Sequence, residues 1–398
     1  MSPTMRPPLR PLLDSLSGYL QEALNRARDE ARARGPIFDF GIGDPREPTP
    51  LFLREALRQA IPEVSQYPSV RGLPSFRRAA AGYLERRFAL SLDPDAEILP
   101  CQGAKEALFH LPLITVHAER PICFFPDPAY PVYERAILFA SGEPRTLPLT
   151  AGRDFLPDLD AIPAEVWRRT SIVFDNYPHN PTGALATREH HEKLFALARE
   201  HGFLAVCDEP YVDLYAPELP PPHSGLQLGR ENVVAIQSLS KRSGMTGYRS
   251  GFIAGEPWLI EKLAEARANF GVAPPSFVQR AAEAAWSDDA HVAGRREVFA
   301  KKRALLLAHL RAQGLDCTSS GVFYIWARVP AGHSSETYAA HLAGRGILVA
   351  PGTHFGESGR GFVRLAMVPT LEDCAKAIAL WPAPGADARD SIPREAIS

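Results

Sequence analysis

From Leu51 onward the apolar positions follow two alternating rhythms. Stretches such as "LFLREALRQA" and "LPSFRRAAAGYLERRF" place apolar residues at the three-to-four spacing of one helix face. Between such stretches stand short continuous apolar runs: "PICFFP", "TSIVFDNY", "FLAVCDE", "NVVAIQS" and "RSGFIAG". Runs of that length without polar alternation read as strands buried on both faces. Alternated with helices such as "TREHHEKLFALAREHG", they predict an α/β fold with a largely parallel sheet covered on both sides. Ahead of this region, Leu12 to Arg34 reads as an amphipathic helix ended by Gly35-Pro36, and "FDFGIGDPREPTP" as a short strand and a Pro-rich loop. After about Ala290 the rhythm changes. A long helix, "HVAGRREVFAKKRALLLAHLRAQG", leads into "SGVFYIWARV", a further helix, "GILVAPG" and "GFVRLAMV". That α+β pattern predicts a second, smaller domain. The expected organisation is an N-terminal arm or helix over 1–40 that contributes to the small domain, a large domain over 41–290 and a small C-terminal domain over 291–398.

Composition narrows the function classes. The chain has 398 residues, which suits two domains. Its 44 basic and 46 acidic residues give a net charge of -2, with no general pull toward nucleic acid or an anionic membrane. The N-terminus, "MSPTMRPPLRPLLDSL", is broken by prolines and lacks a signal peptide's apolar run, and no apolar stretch reaches the roughly 18 residues of a membrane helix. The five cysteines are scattered, with no C-x-x-C pair, which argues against a metal or redox motif and suits a reducing cytoplasm. Cytoplasmic location and no membrane partner are therefore expected. Lysines are scarce: Lys105, Lys193, Lys241, Lys262, Lys301, Lys302 and Lys376 are all there are, which narrows any search for a reactive amine.

In parallel α/β sheets, ligands bind beyond the carboxyl ends of the strands. "SIVFDNY" runs out into "PHNPTG" and places Asn180; "FLAVC" runs into "DEPY" and places Asp208 and Tyr211; "VVAIQ" runs into "SLSK" and places Ser238 and Lys241. "EILPC" runs into "QGAKEALF", where Gly103, Ala104 and Lys105 open a helix, and a helix start beside a glycine is an anion site. An amide, a carboxylate, a phenol, a hydroxyl, a lysine and an anion cradle would share one sheet edge. The set suits pyridoxal 5′-phosphate (PLP). A lysine can hold an aldehyde as a Schiff base, a carboxylate can keep the ring nitrogen protonated, and an arginine with hydroxyls can bind the phosphate.

"NPTG" (180–183), "DEPY" (208–211) and "SLSKRSGMTGYRSG" (238–251) resemble the signatures of the fold-type I, class I/II aminotransferases. "YPSVRGLPSFRRAAAGYL" (67–84) and "FVRLAMV" (362–368) are similar to two further blocks of that family, so the resemblance spans nearly the whole chain in order. It implies a large PLP-binding domain with a mostly parallel seven-stranded sheet and a smaller α+β domain. Matched position by position, it implies that Lys241 is the Schiff-base lysine and proton carrier, and that Asp208 pairs with the pyridine nitrogen. Asn180 and Tyr211 would contact the phenolic oxygen, and Tyr130 would stack on the ring. Ser238 and Arg249 would bind phosphate with the backbone of Gly103, Ala104 and Lys105. Tyr67 would reach the phosphate of a neighbouring subunit, which implies a homodimer with shared sites. Arg364 would fork the substrate α-carboxylate, helped by Asn180 and the backbone near Gly43. Where many relatives carry a hydroxyl, this chain has Ala104, which makes Lys105 a substitute phosphate ligand as well as an ordinary helix-start residue.

The expected activity is amino transfer between small-molecule amino and keto acids, with glutamate and 2-oxoglutarate as one couple. Stretches including "LERRFALSLDPDAEILPCQGAKEALF" and "AAWSDDAHVAGRREVFAKKR" are most similar to the succinyldiaminopimelate transaminases of lysine biosynthesis, with Arg71 as a candidate for the distal end. The alternatives are another aminotransferase of LL-diaminopimelate or aspartate type, a PLP-dependent C–S β-lyase, and a non-catalytic PLP-sensing regulator. The last would need a DNA-binding domain that about 40 leading residues cannot supply. Two further motifs are set aside. "GIGDP" lacks the third glycine of a dinucleotide fingerprint. His190-His191 lacks the H-E-x-x-H spacing of a metal site and reads as a solvated helix face, so no metal is expected.

Overall fold

A computed structural model describes residues 10–15, 28–30, 32, 33, 35–321 and 323–382. The helix expected over Leu12–Arg34 falls largely outside these residues; a helical turn at Leu12–Ser15 and helical residues at 28–30 are its described parts.

The strands in chain order are β1 (Phe38–Asp39), β2 (Ile98–Cys101), β3 (Ile122–Asp127), β4 (Glu143–Pro148), β5 (Thr170–Asp175), β6 (Leu204–Asp208), β7 (Val233–Ser238), β8 (Gly251–Gly255), β9 (Cys317–Thr318), β10 (Tyr324–Arg328), β11 (Ile347–Leu348), β12 (Ala350–Pro351) and β13 (Phe362–Ala366). Seven form one mixed sheet in the order β2-β8-β7-β6-β5-β3-β4. Only β8 runs against its neighbours β2 and β7. The apolar runs are buried on both faces because successive side chains point to opposite sides. Ala205, Cys207, Val233 and Ala235 enter the core on one face, and Leu204, Val206, Val234 and Ile236 the core on the other. Each fully buried Val or Ile is worth about 1.5–3 kcal/mol, so this two-sided burial dominates the local energetics.

β4 was not among the expected strands. "EPRTLP" carries two prolines and only Leu147 is buried, so neither strand rhythm is visible in it. The strand sits at the sheet edge, where a missing N–H costs no ladder bond.

The helices over Leu51–Ala60, Pro74–Phe88 and Arg188–His201 follow their sequence signals. The last is capped by the Thr187 hydroxyl, which accepts the His190 N–H, and is closed by Gly202 at φ +68°. The expectation for His190 and His191 is corrected. Both are buried, with Nε2 atoms 2.8 Å from Asp175 Oδ1 and Oδ2, and His191 Nδ1 lies 2.7 Å from His223 Nε2. They stand one turn before Leu194 and Phe195, so the helix's apolar stripe turns them toward the sheet. Burial pushes the Asp175 carboxyl up, but His190 and His191 outweigh it and hold it well below the usual range.

The remaining strands form a smaller layer. β12, β13, β10 and β9 make an antiparallel sheet, and β1 pairs in parallel with β11. The helix Ala290–Ala312 packs Phe299, Leu306 and Leu310 into the core beneath it, with Phe323 and Ile325. The Ala366 amide donates to the Phe40 carbonyl at 2.8 Å, which holds the loop after β1 against the end of β13. That loop forms one wall of the cleft between the two sheets. No helix among the described residues is long and apolar enough to cross a membrane.

Candidate active site

A cavity of about 590 Å³ opens where β5, β6 and β7 end. Gly43, Ala104, Lys105, Tyr130, Asn180, Asp208, Tyr211, Ser238, Lys241, Arg249 and Arg364 all line it. Gly103 adjoins it as the N-cap of the helix Ala104–Thr115. Tyr67 does not line it and is fully exposed. Arg71 also stands apart, with Nη1 3.4 Å from the Asp95 carbonyl.

Lys241 follows β7 within a short helix, Leu239–Arg242, whose start is capped by the Ser238 hydroxyl accepting from the Ser240 N–H. Its ammonium donates to the Gly43 carbonyl and lies 5.3 Å from the Phe323 ring centre. Burial, more than any neighbour, pushes its pKa down to about 8; Arg364, Arg249 and Arg295 add to this, while Asp44 opposes it. Desolvation thus does more than any neighbouring cation to bring this amine toward neutrality.

Asp208 ends β6 with 3% of its surface exposed. Tyr133 Oη donates to its Oδ2 at 2.6 Å, and Oδ1 is buried with no hydrogen-bond partner. Burial pushes this carboxyl up to about 7, and the Tyr133 bond holds it back. Tyr133 was not anticipated. It sits three residues after Tyr130 in "YPVY", and its ring stacks on Phe174 with centres 4.9 Å apart. Asn176 was missed as well: its Nδ2 donates to the Asp208 carbonyl at 2.6 Å, and its Oδ1 accepts the Asn180 N–H at 3.0 Å. One amide thus ties the ends of β5 and β6 together.

Arg364 reaches the cavity from β13 and is buried. Its Nη1 donates to Asn180 Oδ1 at 2.9 Å and its Nη2 to the Gly41 carbonyl at 2.6 Å, leaving Nε buried without a partner. Its guanidinium lies 4.6 Å from the Tyr324 ring centre and 4.5 Å from that of Phe355. Tyr324 Oη is in turn 2.9 Å from Tyr211 Oη. Tyr324, Phe355 and Asp44 are lining residues that sequence reasoning did not single out.

At the other end, Gly103 adopts φ +82°, and a Cβ there would come 2.6 Å from Arg249 Nη2. The glycine lets the guanidinium lie against the helix start, so the two combine as one anion cradle. Arg249 Nη2 also donates to the Gln102 carbonyl at 3.1 Å. The arrangement can hold a phosphate at one end, an organic carboxylate at Arg364, and a reacting carbon near Lys241.

Comparison with known proteins gives a consistent picture. The model of the family described as aminotransferase class I and II matches residues 35–379. An LL-diaminopimelate aminotransferase of Nitratidesulfovibrio vulgaris is 37% identical over 375 residues, covering 92% of this chain and 96% of that protein. LL-diaminopimelate aminotransferase 2 of Trichormus variabilis is 38% identical over 375 residues, with coverage of 92% and 96%. Among solved structures, a probable N-succinyldiaminopimelate aminotransferase from Thermus thermophilus superposes with a TM-score of 0.84 at 31% identity, covering 91% of this chain and 99% of that one.

Proposed function

This chain belongs to the class I and II aminotransferases, which depend on pyridoxal 5′-phosphate, and we propose that it transfers an amino group between LL-2,6-diaminopimelate and the glutamate/2-oxoglutarate couple. The cavity fits the cofactor. Asp208 Oδ1 is a buried acceptor without a donor, Lys241 is a lysine kept close to neutrality, and Gly103 and Arg249 form an anion cradle. When bound, the cofactor supplies an electron sink for the carbanion at the amino acid's α-carbon and carries nitrogen between the two substrates.

In this reading Lys241 would hold the cofactor through Nζ and, once released, its Nζ would carry the α-proton. That task needs a neutral amine, and a pKa near 8 provides a usable neutral fraction around pH 7–8. Asp208 accepts the ring N–H through Oδ1; a cation there reverses the upward push of burial and keeps the carboxylate charged. Asn180 and Tyr211 donate to the phenolic oxygen, and Tyr130 stacks on the ring. Ser238, Arg249 and the backbone amides of Ala104 and Lys105 bind phosphate. Arg364 holds the α-carboxylate with the backbone at Gly43. The unpartnered Asp208 Oδ1 in the same cavity as Lys241 is the observation that carries this assignment.

The choice of LL-diaminopimelate rests on the names of the 37–38% identical relatives and on the charge at the cavity mouth. Asp44 lines the mouth, is exposed, and makes no side-chain hydrogen bond among the described residues. A carboxylate there suits a free distal ammonium, which LL-diaminopimelate has and its N-succinyl derivative lacks. The N-succinyl form is the second reading, favoured by the Thermus thermophilus structure; Arg71, its candidate reader, stands outside the cavity of its own protomer. A homodimer with shared sites is part of the proposal. The full exposure of Tyr67, an aromatic side chain, supports a position against a second copy. The five cysteines, all free and none paired, support a cytoplasmic location.

The test is the near-UV and visible spectrum of the purified, PLP-loaded protein during stepwise addition of LL-diaminopimelate, N-succinyl-LL-diaminopimelate or L-glutamate without a keto acid. Conversion to the pyridoxamine form, reversed by 2-oxoglutarate, supports amino transfer, and the donor with the larger kcat/KM decides between the two diaminopimelates. Pyruvate or thiol release without nitrogen transfer points to a lyase. Absence of any cofactor band overturns the reading.

A further inference from the structure

Tyr211 and Tyr324 come from different sheets. Tyr211 follows β6 in the large sheet, and Tyr324 opens β10 in the small one, 113 residues later. Both are more than nine-tenths buried, with their hydroxyl oxygens 2.9 Å apart. Neither hydroxyl makes another hydrogen bond among the described residues. A Cβ at Gly43 would come 2.8 Å from Tyr324 Oη, so the hydroxyl is wedged against the backbone at Gly43 and faces Tyr211.

Two phenols that share one hydrogen bond must divide the roles: one donates and the other accepts. If Tyr211 donated to Tyr324, its proton would be turned away from the cavity. If Tyr324 donates, Tyr211 accepts on oxygen and keeps its own proton for a ligand. The surroundings favour the second arrangement. The Arg364 guanidinium lies 4.6 Å from the Tyr324 ring centre, and its positive charge partly offsets the upward push of burial on that phenol, which favours Tyr324 as the donor. Burial pushes the Tyr211 phenol well above its usual range, so its proton stays on the oxygen.

We propose that Tyr324 is a positioning residue for the reaction: its hydroxyl donates to Tyr211, and the Tyr211 proton is thereby directed at the phenolic oxygen of the cofactor. The inference rests on the role given to Tyr211 above. A donor that itself accepts a hydrogen bond is a stronger donor, because the chain polarises in one direction. Tyr324 thus strengthens, through Tyr211, the bond that stabilises negative charge on the cofactor oxygen. Its ring separately flanks the Arg364 guanidinium, so one side chain from the small sheet supports both the arginine and the Tyr211 hydroxyl.

The experiment is a pH titration of the visible absorbance of the PLP-loaded protein, comparing wild type with Tyr324→Phe, Tyr211→Phe and the double variant. Phenylalanine keeps the ring beside Arg364 and removes only the hydroxyl. Loss of a donor to an oxygen anion raises the pKa of the coupled protonation. Tyr211→Phe is expected to move the midpoint up, and Tyr324→Phe to move it the same way by a smaller step, at least about 0.5 pH unit or roughly threefold in the protonation constant. The double variant should titrate like Tyr211→Phe alone, because the chain is already broken. A wild-type midpoint in Tyr324→Phe beside a shifted Tyr211→Phe overturns the inference. An unshifted Tyr211→Phe overturns the role of Tyr211 and this proposal with it. Should Tyr324→Phe fail to fold, 3-fluorotyrosine incorporated at position 324 provides the second test. It keeps the bond, makes the donor more acidic, and should move the midpoint down; an unchanged midpoint overturns the inference.

Discussion

Tyr133 Oη lies 2.6 Å from Asp208 Oδ2, while the other oxygen of the same carboxylate is buried without a partner. The tyrosine orients the carboxylate and lowers the cost of keeping it charged, and so leaves Oδ1 as the acceptor available to a ring N–H. Without Tyr133, Asp208 loses a stabiliser of its ionised form, and its pKa rises above the present value of about 7. Tyr133→Phe should weaken PLP binding about tenfold, since a hydrogen bond to a charged group is worth about 1.5–3 kcal/mol. It should also shift the acid limb of the kcat/KM profile to higher pH. Equilibrium cofactor titration and a pH–rate profile check both effects, and Asp208→Ala should show a larger loss of the same kind.

Asp44 and Lys241 line the same cavity, and the negative charge of Asp44 raises the lysine's pKa against the downward push of burial. Asp44→Asn should therefore lower that pKa below about 8. With Lys241 as the proposed proton carrier, the neutral amine is the form that acts, so the rising limb of the half-reaction rate should move to lower pH. The same variant should raise KM for LL-diaminopimelate and leave KM for L-glutamate nearly unchanged, because only the former carries a distal ammonium. Stopped-flow half-reactions with the two donors measure both effects. Lys241→Ala should abolish turnover with either donor.

Asp175 Oδ1 and Oδ2 lie 2.8 Å from the Nε2 atoms of His190 and His191 in a buried cluster beside β5. Removing one imidazole leaves a buried carboxylate short of a donor, so His190→Ala should cost about 3–5 kcal/mol, measured by urea unfolding at pH 7. The pH dependence has a definite sign. The folded-state pKa of Asp175 is depressed, so its stabilisation is fully present above the unfolded carboxyl value of about 4 and is lost as pH falls toward the folded value. The gap between wild type and an Asp175→Asn variant should shrink below pH ~4.

Tyr67 is exposed on its own protomer and outside its own cavity, so a shared site has a direct signature. Lys241→Ala and Tyr67→Ala proteins, each impaired alone, should regain activity when unfolded and refolded together. A mixed dimer contains one intact site and one doubly altered site, which predicts about half the native activity per mixed dimer. No recovery on mixing, with dimers formed, would place Tyr67 outside the partner's site.

Much of this molecule was legible from its residues in order. The helices over Leu51–Ala60 and Pro74–Phe88 and the strands β3, β5, β6 and β7 follow local rhythms, and a rhythm needs only neighbours along the chain. Because the strands are parallel, their carboxyl ends share one edge, and this alone brings Asn180, Asp208 and Lys241 to a common cavity. Edge strand β4 escaped because an edge is defined by what is absent beside it, and "EPRTLP" carries no internal mark of that position. His190 and His191 were misread because polarity alone was weighed, while their place on the stripe of Leu194 and Phe195 turned them inward.

The order of residues alone settled the longer helices, the buried strands β3, β5, β6, β7 and β8, the places of Lys241 and Asp208 at strand ends, and the family. Each of these depends on residue type and short spacing. Only the tertiary structure decided which groups meet: Tyr133 with Asp208 across 75 residues, Tyr211 with Tyr324 across 113, Arg364 with Asn180 across 184. It also decided the sheet order and the reversed direction of β8. Hydrogen bonds act over about 3 Å and burial shifts a pKa through everything packed around the group. Such terms exist only once distant parts of the chain are in contact, which is why the places of Lys241 and Asp208 at strand ends could be read along the sequence and the shifts in their pKa values could not.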